Sequence, residues 1–203
     1  MAEAPQPHQF LNALDARAAA DALRRCCGAE RWVSAMLAAR PYASTAQLEQ
    51  QAEQCWQAIG AQDYLEAFTH HPQIGEDLAA LRQRFARTEA LSSREQAGVS
   101  GADEATLRAL RDGNQAYRER FGYIFIVCAT GKSAEQMLAL LRERLHHAPE
   151  QELAIAAAEQ AKITRLRLLQ LGGDVLLEQP AEGSGNTSAP RSTNGAGEKA
   201  ASS

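Results

Sequence analysis

The sequence lacks an excess of positive charge, and this absence bears on its partners. Lys and Arg contribute 21 residues against 25 Asp and Glu, which gives a formal net charge of −4 at pH 7. A domain that binds nucleic acid usually carries a basic patch or stripe and has a high isoelectric point. We therefore expect no nucleic-acid partner.

Long apolar runs are also missing. No stretch approaches the roughly 18 consecutive apolar residues that a membrane-spanning helix needs. Residues 1–9 contain two prolines and a glutamate, and they lack the apolar core of a secretory signal. We expect a soluble cytoplasmic protein without a membrane partner.

The cysteines do not form a metal-binding or redox pattern. The four cysteines, Cys26, Cys27, Cys55 and Cys128, include no C-x-x-C pair. The adjacent Cys26 and Cys27 do not have the spacing that metal ligands need. We expect buried or idle thiols in a reducing compartment, and no metal site made by these cysteines.

The end of the chain lacks large hydrophobic residues altogether. Residues 178–203 contain no Val, Ile, Leu, Met, Phe, Trp or Tyr and are rich in Gly, Ala and Ser. Such a segment cannot bury enough apolar surface to offset the entropy lost on ordering. The composition predicts one folded domain over residues 1–177 and a disordered tail over residues 178–203.

What the sequence does contain, up to residue 177, is the pattern of an all-α single domain. Apolar residues recur at helical spacing between natural helix stops such as Gly28 and Gly60. Ser133 and Gln136 have the spacing of a capping box. After Pro149 the spacing predicts a long helix with an apolar face, formed by Ile155, Ile163, Leu166 and Leu169.

One segment departs from this pattern. Residues 121–130 contain the run Tyr-Ile-Phe-Ile-Val-Cys, which suits either a strand or the buried start of a helix. No second strand is available to pair with it. We therefore expect an extended piece enclosed by helices rather than a sheet.

His71 is the first candidate for chemistry. Pro72 disfavours a helical conformation of the residue before it, so His71 is predicted at the edge of a loop. Histidine is the side chain best matched to proton transfer near neutral pH. A surface or capping histidine is the alternative. A metal site formed by His70, His71 and Glu76 is a further one.

The second candidate is the segment 92–96, with the sequence Ser-Ser-Arg-Glu-Gln. Ser92 and Glu95 have the spacing of a capping box, which would satisfy backbone N–H groups at a helix start. The same helix start could instead present several polar groups to one small ligand. The spacing leaves both interpretations open.

The third candidate is a pair of arginines in the last predicted helix. Arg165 and Arg167 stand beside an apolar stripe. Either side chain could extend to water, or it could point into a pocket and bind a carbonyl or carboxylate group. The sequence leaves open which of them does so.

Four segments that occur in a fixed order resemble one known family. They are His71-Pro72-Gln73-Ile74-Gly75, Ser92-Ser93-Arg94-Glu95-Gln96-Ala97-Gly98, Phe121-Gly122-Tyr123-Ile124-Phe125-Ile126-Val127-Cys128-Ala129 and Lys162-Ile163-Thr164-Arg165-Leu166-Arg167-Leu168. Together they resemble the 2-oxo-4-hydroxy-4-carboxy-5-ureidoimidazoline (OHCU) decarboxylases of urate degradation. The resemblance spans residues 8–173.

The resemblance implies an all-α homodimer that needs no cofactor and no metal. Members of this family convert a small molecule, the ureidoimidazoline produced by urate oxidation, to (S)-allantoin with loss of carbon dioxide. The family's catalytic proton donor corresponds to His71, and Glu95 corresponds to a second catalytic residue. The substrate-binding positions of the family correspond to Pro72, Ser92, Ser93, Arg94, Glu95, Gln96, Phe125, Ile126, Val127, Cys128, Ala129 and Arg167.

Two other functions remain compatible with the residues alone. In a non-catalytic helical binding module, His71 would be structural and Ser92 would only cap a helix. In a metal-dependent hydrolase, His70, His71 and Glu76 would bind the ion.

Overall fold

The computed structural model describes residues 4–71 and 104–173, and every regular element within these ranges is an α-helix, as predicted. The eight helices described are α1 (Pro7–Ala13), α2 (Ala16–Cys26), α3 (Glu30–Ala38), α4 (Thr45–Gln57), α5 (Ala61–Thr69), α6 (Glu104–Phe121), α7 (Ala134–Arg144) and α8 (Pro149–Leu169). None of these helices is long and apolar enough to cross a membrane. The predicted tail, residues 178–203, lies outside the described residues.

Side-chain caps fix the starts of several helices. The backbone N–H of Gln47 donates to Ser44 Oγ at 3.1 Å, which caps α4. At the start of α7, the Gln136 N–H donates to Ser133 Oγ, and the Ser133 N–H donates to Gln136 Oε1. The predicted capping box at Ser133 is therefore confirmed.

The first core forms where α2, α3, α4 and α8 pack together. Two buried tryptophans connect these helices through their indole N–H groups. Trp32 Nε1 donates to the Ala52 carbonyl at 3.0 Å, and Trp56 Nε1 donates to the Ala157 carbonyl at 3.1 Å. Both rings thus bury a large apolar area while their polar atoms remain hydrogen-bonded.

The second core forms between α6, α7 and the segment that connects them. Residues 124–129 of that segment are neither helical nor paired into a sheet, as predicted. Phe125 and Val127 are buried in this core, whereas Ile126 packs against Phe68 and Ala156 on the other side. The segment therefore lies between the two halves of the domain and contacts both.

A buried ionic cluster holds this segment in place. Arg144 and Glu152 are 4% and 0% exposed, and Arg144 Nε donates to Glu152 Oε1 at 2.8 Å. The Tyr117 hydroxyl and His147 Nδ1 also contact the Glu152 carboxylate. Arg144 Nη1 donates to the Ile126 carbonyl at 2.9 Å. The cluster thus connects α6, α7 and α8 to the backbone of the segment.

The predicted apolar face of α8 is wrong. Leu166 and Leu169 are 37% and 41% exposed, and they are the exposed large hydrophobic residues of the described chain. The helix is buried on several sides by α2, α4 and α5. All but one of its buried positions therefore hold small or polar side chains, and the exception is Leu168. Those positions are Glu152, Ala156, Ala157, Gln160, Thr164 and Leu168.

Candidate functional site

A cavity of about 430 Å³ lies between α8 and the segment after α6, beside the end of α5. This volume is in the range typical of small-molecule sites. The cavity brings together His71, Arg167 and residues 125–129, which the sequence predicted as parts of one site. The full lining is His71, Ile124, Phe125, Ile126, Val127, Cys128, Ala129, Thr130, Ile163, Leu166, Arg167 and Gln170.

The end of α5 places His71 at the cavity. The helix ends at Thr69, and the N–H of His71 donates to the Phe68 carbonyl at 3.2 Å, which closes a final turn. His71 therefore lies just beyond the end of α5, where a break in the helix was predicted. Gly28 lies against His70, the residue before His71. A Cβ at position 28 would stand 2.3 Å from ring carbons of His70. The close approach of Gly28 thus helps to set the position of this turn.

The His71 ring is hydrogen-bonded to α8. Its Nε2 lies 2.5 Å from Oε1 of Gln160, a residue only 1% exposed. The side-chain Nε2 of Gln160 donates in turn to Thr164 Oγ1 at 3.1 Å. His71 thus stands between the open cavity on one side and a buried polar pair on the other.

A second cavity of about 350 Å³ also reaches His71. It lies between the end of α5 and the end of α6, where Arg118 and Tyr123 contribute to its lining along with Phe68 and Ile124. His71 and Ile124 line both cavities. The imidazole therefore separates a larger cavity next to Arg167 from a smaller one next to Arg118.

The structure distinguishes the two arginines of the last helix. Arg167 lines the larger cavity, and its Nη1 donates to the carbonyls of Arg25 and Cys26 at 3.3 Å each. These carbonyls lie at the C-terminal end of α2, where a helix favours a cation. Burial lowers the pKa of the Arg167 guanidinium, but arginine stays charged at neutral pH.

Arg165 faces a different part of the surface. Its Nε donates to Glu49 Oε1 at 2.7 Å, and its side chain is 68% exposed. It borders a groove between α4 and α8 rather than the cavity that contains His71. Of the two arginines, the structure therefore brings only Arg167 together with His71.

The wall formed by residues 125–129 has part of its backbone already hydrogen-bonded. The Cys128 N–H donates to Glu159 Oε2 at 2.7 Å, and Lys132 Nζ donates to the Cys128 carbonyl at 2.7 Å. The Ile126 carbonyl accepts from Arg144. These groups hold the wall, so a ligand would have to use other backbone groups of the segment or displace these partners.

Glu159 fixes this wall from α8. Burial by itself would raise the pKa of Glu159, but the hydrogen bonds from Lys162 and the Cys128 N–H outweigh burial and lower the pKa. The side chain of Glu159 is 14% exposed, and Lys162 Nζ lies 2.5 Å from its Oε1. The charged carboxylate is therefore the form that the wall stabilises.

Sequence reasoning missed Gln160, Thr164 and Glu159. Gln160 and Thr164 are four positions apart, so they share one side of a helix. A polar pair at this spacing among alanines and leucines was the available signal, because buried polar side chains require partners. The predicted face of α8 consisted of its larger apolar residues, so this polar pair was not expected to be buried.

Several predicted site residues lie outside the described residues. They are Pro72, Ser92, Ser93, Arg94, Glu95 and Gln96. Glu76, the third ligand of the metal-site alternative, also lies outside them. Within residues 4–71 and 104–173, no group of three His, Cys, Asp or Glu side chains is placed to bind a metal ion.

Comparison with known proteins gives a consistent set of relatives. A family profile described as OHCU decarboxylase matches residues 12–169. The uric acid degradation bifunctional protein TTL of Arabidopsis thaliana is 34% identical over 155 residues, which are 76% of this chain and 47% of that protein. The 2-oxo-4-hydroxy-4-carboxy-5-ureidoimidazoline decarboxylase of Amia calva is 32% identical over 66% of this chain and 76% of its own.

A solved structure has the same fold. A crystal structure of OHCU decarboxylase in the presence of (S)-allantoin superimposes with a TM-score of 0.61 and 32% sequence identity. The match covers 76% of this chain and 99% of that one. By contrast, this chain spans about half the length of the bifunctional Arabidopsis protein.

Proposed function

The chain belongs to the OHCU decarboxylase family, and from that premise we propose that it decarboxylates 2-oxo-4-hydroxy-4-carboxy-5-ureidoimidazoline to (S)-allantoin in urate degradation. The observation that carries the proposal is the shared cavity of His71 and Arg167. This cavity places an acid–base group and a fixed positive charge around space for one small anion.

The substrate supplies its own electron sink. Loss of carbon dioxide breaks the bond between ring carbon 4 and its carboxylate, and the electron pair forms a double bond between carbons 4 and 5. The electron pair of the adjacent ring C=N bond moves onto nitrogen, which takes up a proton. No pyridoxal phosphate or thiamine is required for this step, and we propose that the enzyme uses no cofactor.

The second step fixes the handedness of the product. The enol intermediate loses its hydroxyl proton, which leaves an amide carbonyl at carbon 4, while carbon 5, which bears the ureido group, accepts a proton. We assign the delivery of that proton to the imidazolium of His71, because its ring lines the cavity. Delivery from one side only would give a single enantiomer.

Arg167 is proposed to bind the substrate's negative charge. Its guanidinium is anchored on the end of α2 through one nitrogen, which leaves further donors on the same rigid fork. An oriented cation at this point would also stabilise the negative charge that moves from the carboxylate to the ring during decarboxylation. Glu95 remains proposed as the second catalytic residue. Pro72, Ser92, Ser93, Arg94 and Gln96 remain proposed contacts.

A direct assay tests this function. Urate oxidation product, generated immediately before use, should be converted by the protein faster than it decays alone. The circular dichroism of the product should show one enantiomer of allantoin, and a chelator should not change the rate. Unaccelerated decay to racemic product would contradict the proposal and favour a binding module. Chelator sensitivity would favour the metal-dependent alternative.

Two properties of the whole protein also remain proposals. We propose a homodimer, as the family resemblance implies, and light scattering coupled to size-exclusion chromatography should give a mass of two chains. We also propose a cytoplasmic location, because all four cysteines are free and buried, which suits a reducing compartment. Fractionation of the source cells would test the location.

A further inference from the structure

A series of polar contacts runs from His71 to two buried side chains of α8. His71 Nε2 contacts Gln160 Oε1 at 2.5 Å, and Gln160 Nε2 donates to Thr164 Oγ1 at 3.1 Å. Gln160 and Thr164 are 1% and 4% exposed, so their polar atoms depend on hydrogen bonds within the protein.

The orientation of the Gln160 amide follows from its contact with Thr164. Thr164 Oγ1 accepts from the Gln160 amide nitrogen. The amide oxygen then faces His71 and can only accept.

From this orientation of the Gln160 amide we propose that Gln160 is a positioning residue that holds the proton of neutral His71 on Nε2. Nδ1 is then the nitrogen that gains and loses the proton used in catalysis. The inference rests on the proposed function for its catalytic meaning, but the position of the proton is a property of the free protein. Fixing the tautomer also fixes the ring plane, since the bond to Gln160 opposes rotation.

The charges around His71 determine how a substitution at position 160 would act. Arg167 on α8 and Cys128 on the wall line the larger cavity with it, and Arg118 on α6 lines the smaller one. Tyr123 also lines the smaller cavity, and His70 is the titratable residue next to His71 in the sequence. None of the described residues that line the two cavities is a carboxylate. A glutamate at position 160 would therefore add a new negative charge against the ring.

Nitrogen NMR of histidine-labelled wild-type protein is the first test. Above the pKa of His71, the spectrum should show Nε2 protonated and Nδ1 unprotonated. The opposite tautomer, or an equal mixture of both, would overturn the inference whether or not the protein proves to be a decarboxylase. The measurement thus separates this inference from the proposed function.

Kinetics of two variants is the second test. Gln160→Glu should raise the pKa of His71 and shift the corresponding limb of the kcat–pH profile upward by on the order of one pH unit. Gln160→Met keeps the volume but removes the acceptor, and we expect kcat to fall on the order of tenfold or more with KM little changed.

Gln151→Glu is the matched control, because Gln151 is an exposed glutamine near the start of the same helix. It should leave the pH profile in place. Wild-type pH profiles and kcat values in both variants at position 160 would overturn the inference. If Gln160→Met does not fold, Gln160→Glu and the spectrum of the wild-type protein still decide.

Discussion

Arg165 and Arg167 show how strongly the surroundings of a residue decide its role. The two are separated by a single leucine, yet one lies in a salt bridge on the surface and the other lines the cavity. Exposed salt bridges contribute at most about 1 kcal/mol to stability. Burying part of the Arg167 guanidinium against helix carbonyls costs more free energy than leaving an arginine exposed. Binding of a substrate anion would offset that cost.

We predict that Arg167→Gln lowers kcat/KM on the order of 10- to 100-fold, because a charged hydrogen bond to the substrate is lost. Arg165→Gln is the matched control and should retain wild-type kcat/KM. Steady-state kinetics of the two variants, with circular dichroism to verify folding, provides the check. Equal losses in both variants would show that the cavity is not the binding site.

The limits of sequence reasoning at this scale are visible in Gln160. His71 could be selected because a proline follows it and because its motif resembles one of a known family. Gln160 is 89 positions away in sequence, and nothing in its own neighbourhood indicates contact with a histidine. Only the packing of α5 against α8 brings the two side chains together.

Among the elements, the segment 124–129 depends on its neighbours for its shape. It has no sheet partner within the described part of the chain, so its backbone groups are satisfied by side chains instead. Arg144 from α7 and Glu159 from α8 bind it at Ile126 and Cys128. The cavity wall is therefore only as rigid as these contacts.

We predict that Glu152→Ala destabilises the fold by about 3–5 kcal/mol, because it leaves the buried guanidinium of Arg144 without its partner. Urea unfolding of the variant measures this change. Glu150→Ala, at an exposed position in the same first turn of α8, should change the free energy of unfolding by less than about 0.5 kcal/mol. A loss below about 1 kcal/mol for Glu152→Ala would contradict a structural role for the cluster.

Helix boundaries were easier to predict than helix faces. Ser133 and Pro149 indicate helix starts through local chemistry, and α7 and α8 begin there. Gly28 and Gly60 indicate helix stops, and α2 and α4 end shortly before them, at Cys26 and Gln57. The face of α8 depends on which helices surround it. Because neighbours cover it on several sides, its buried positions favour alanine and paired polar groups. Leu166 and Leu169 are left partly exposed.

At the scale of the whole molecule, the site lies where two cores meet. Phe125 and Val127 of the second core line the cavity, and α8, on the opposite side of it, contributes Ala157 and Leu168 to the first core. The all-α fold could be predicted from helical spacing and from the absence of a second strand. The meeting of the two cores could not, because it depends on contacts between residues far apart in sequence.

The composition of residues 178–203 leads to a prediction about the whole chain. Because this segment has no large hydrophobic residue, we expect truncation after Leu177 to leave the melting temperature and kcat/KM almost unchanged. Thermal unfolding and the decarboxylation assay of the truncated protein are the checks. A fall in melting temperature of many degrees would show that the removed segment contributes to the fold.

The central claim is that His71 delivers the proton that fixes the handedness of allantoin. The most direct measurement compares wild-type protein and His71→Asn on freshly generated urate oxidation product, followed by circular dichroism of the allantoin formed. We predict fast formation of one enantiomer by the wild type, and no acceleration and racemic product with a folded His71→Asn variant. Near-wild-type turnover with one-handed product from that variant would contradict the claim.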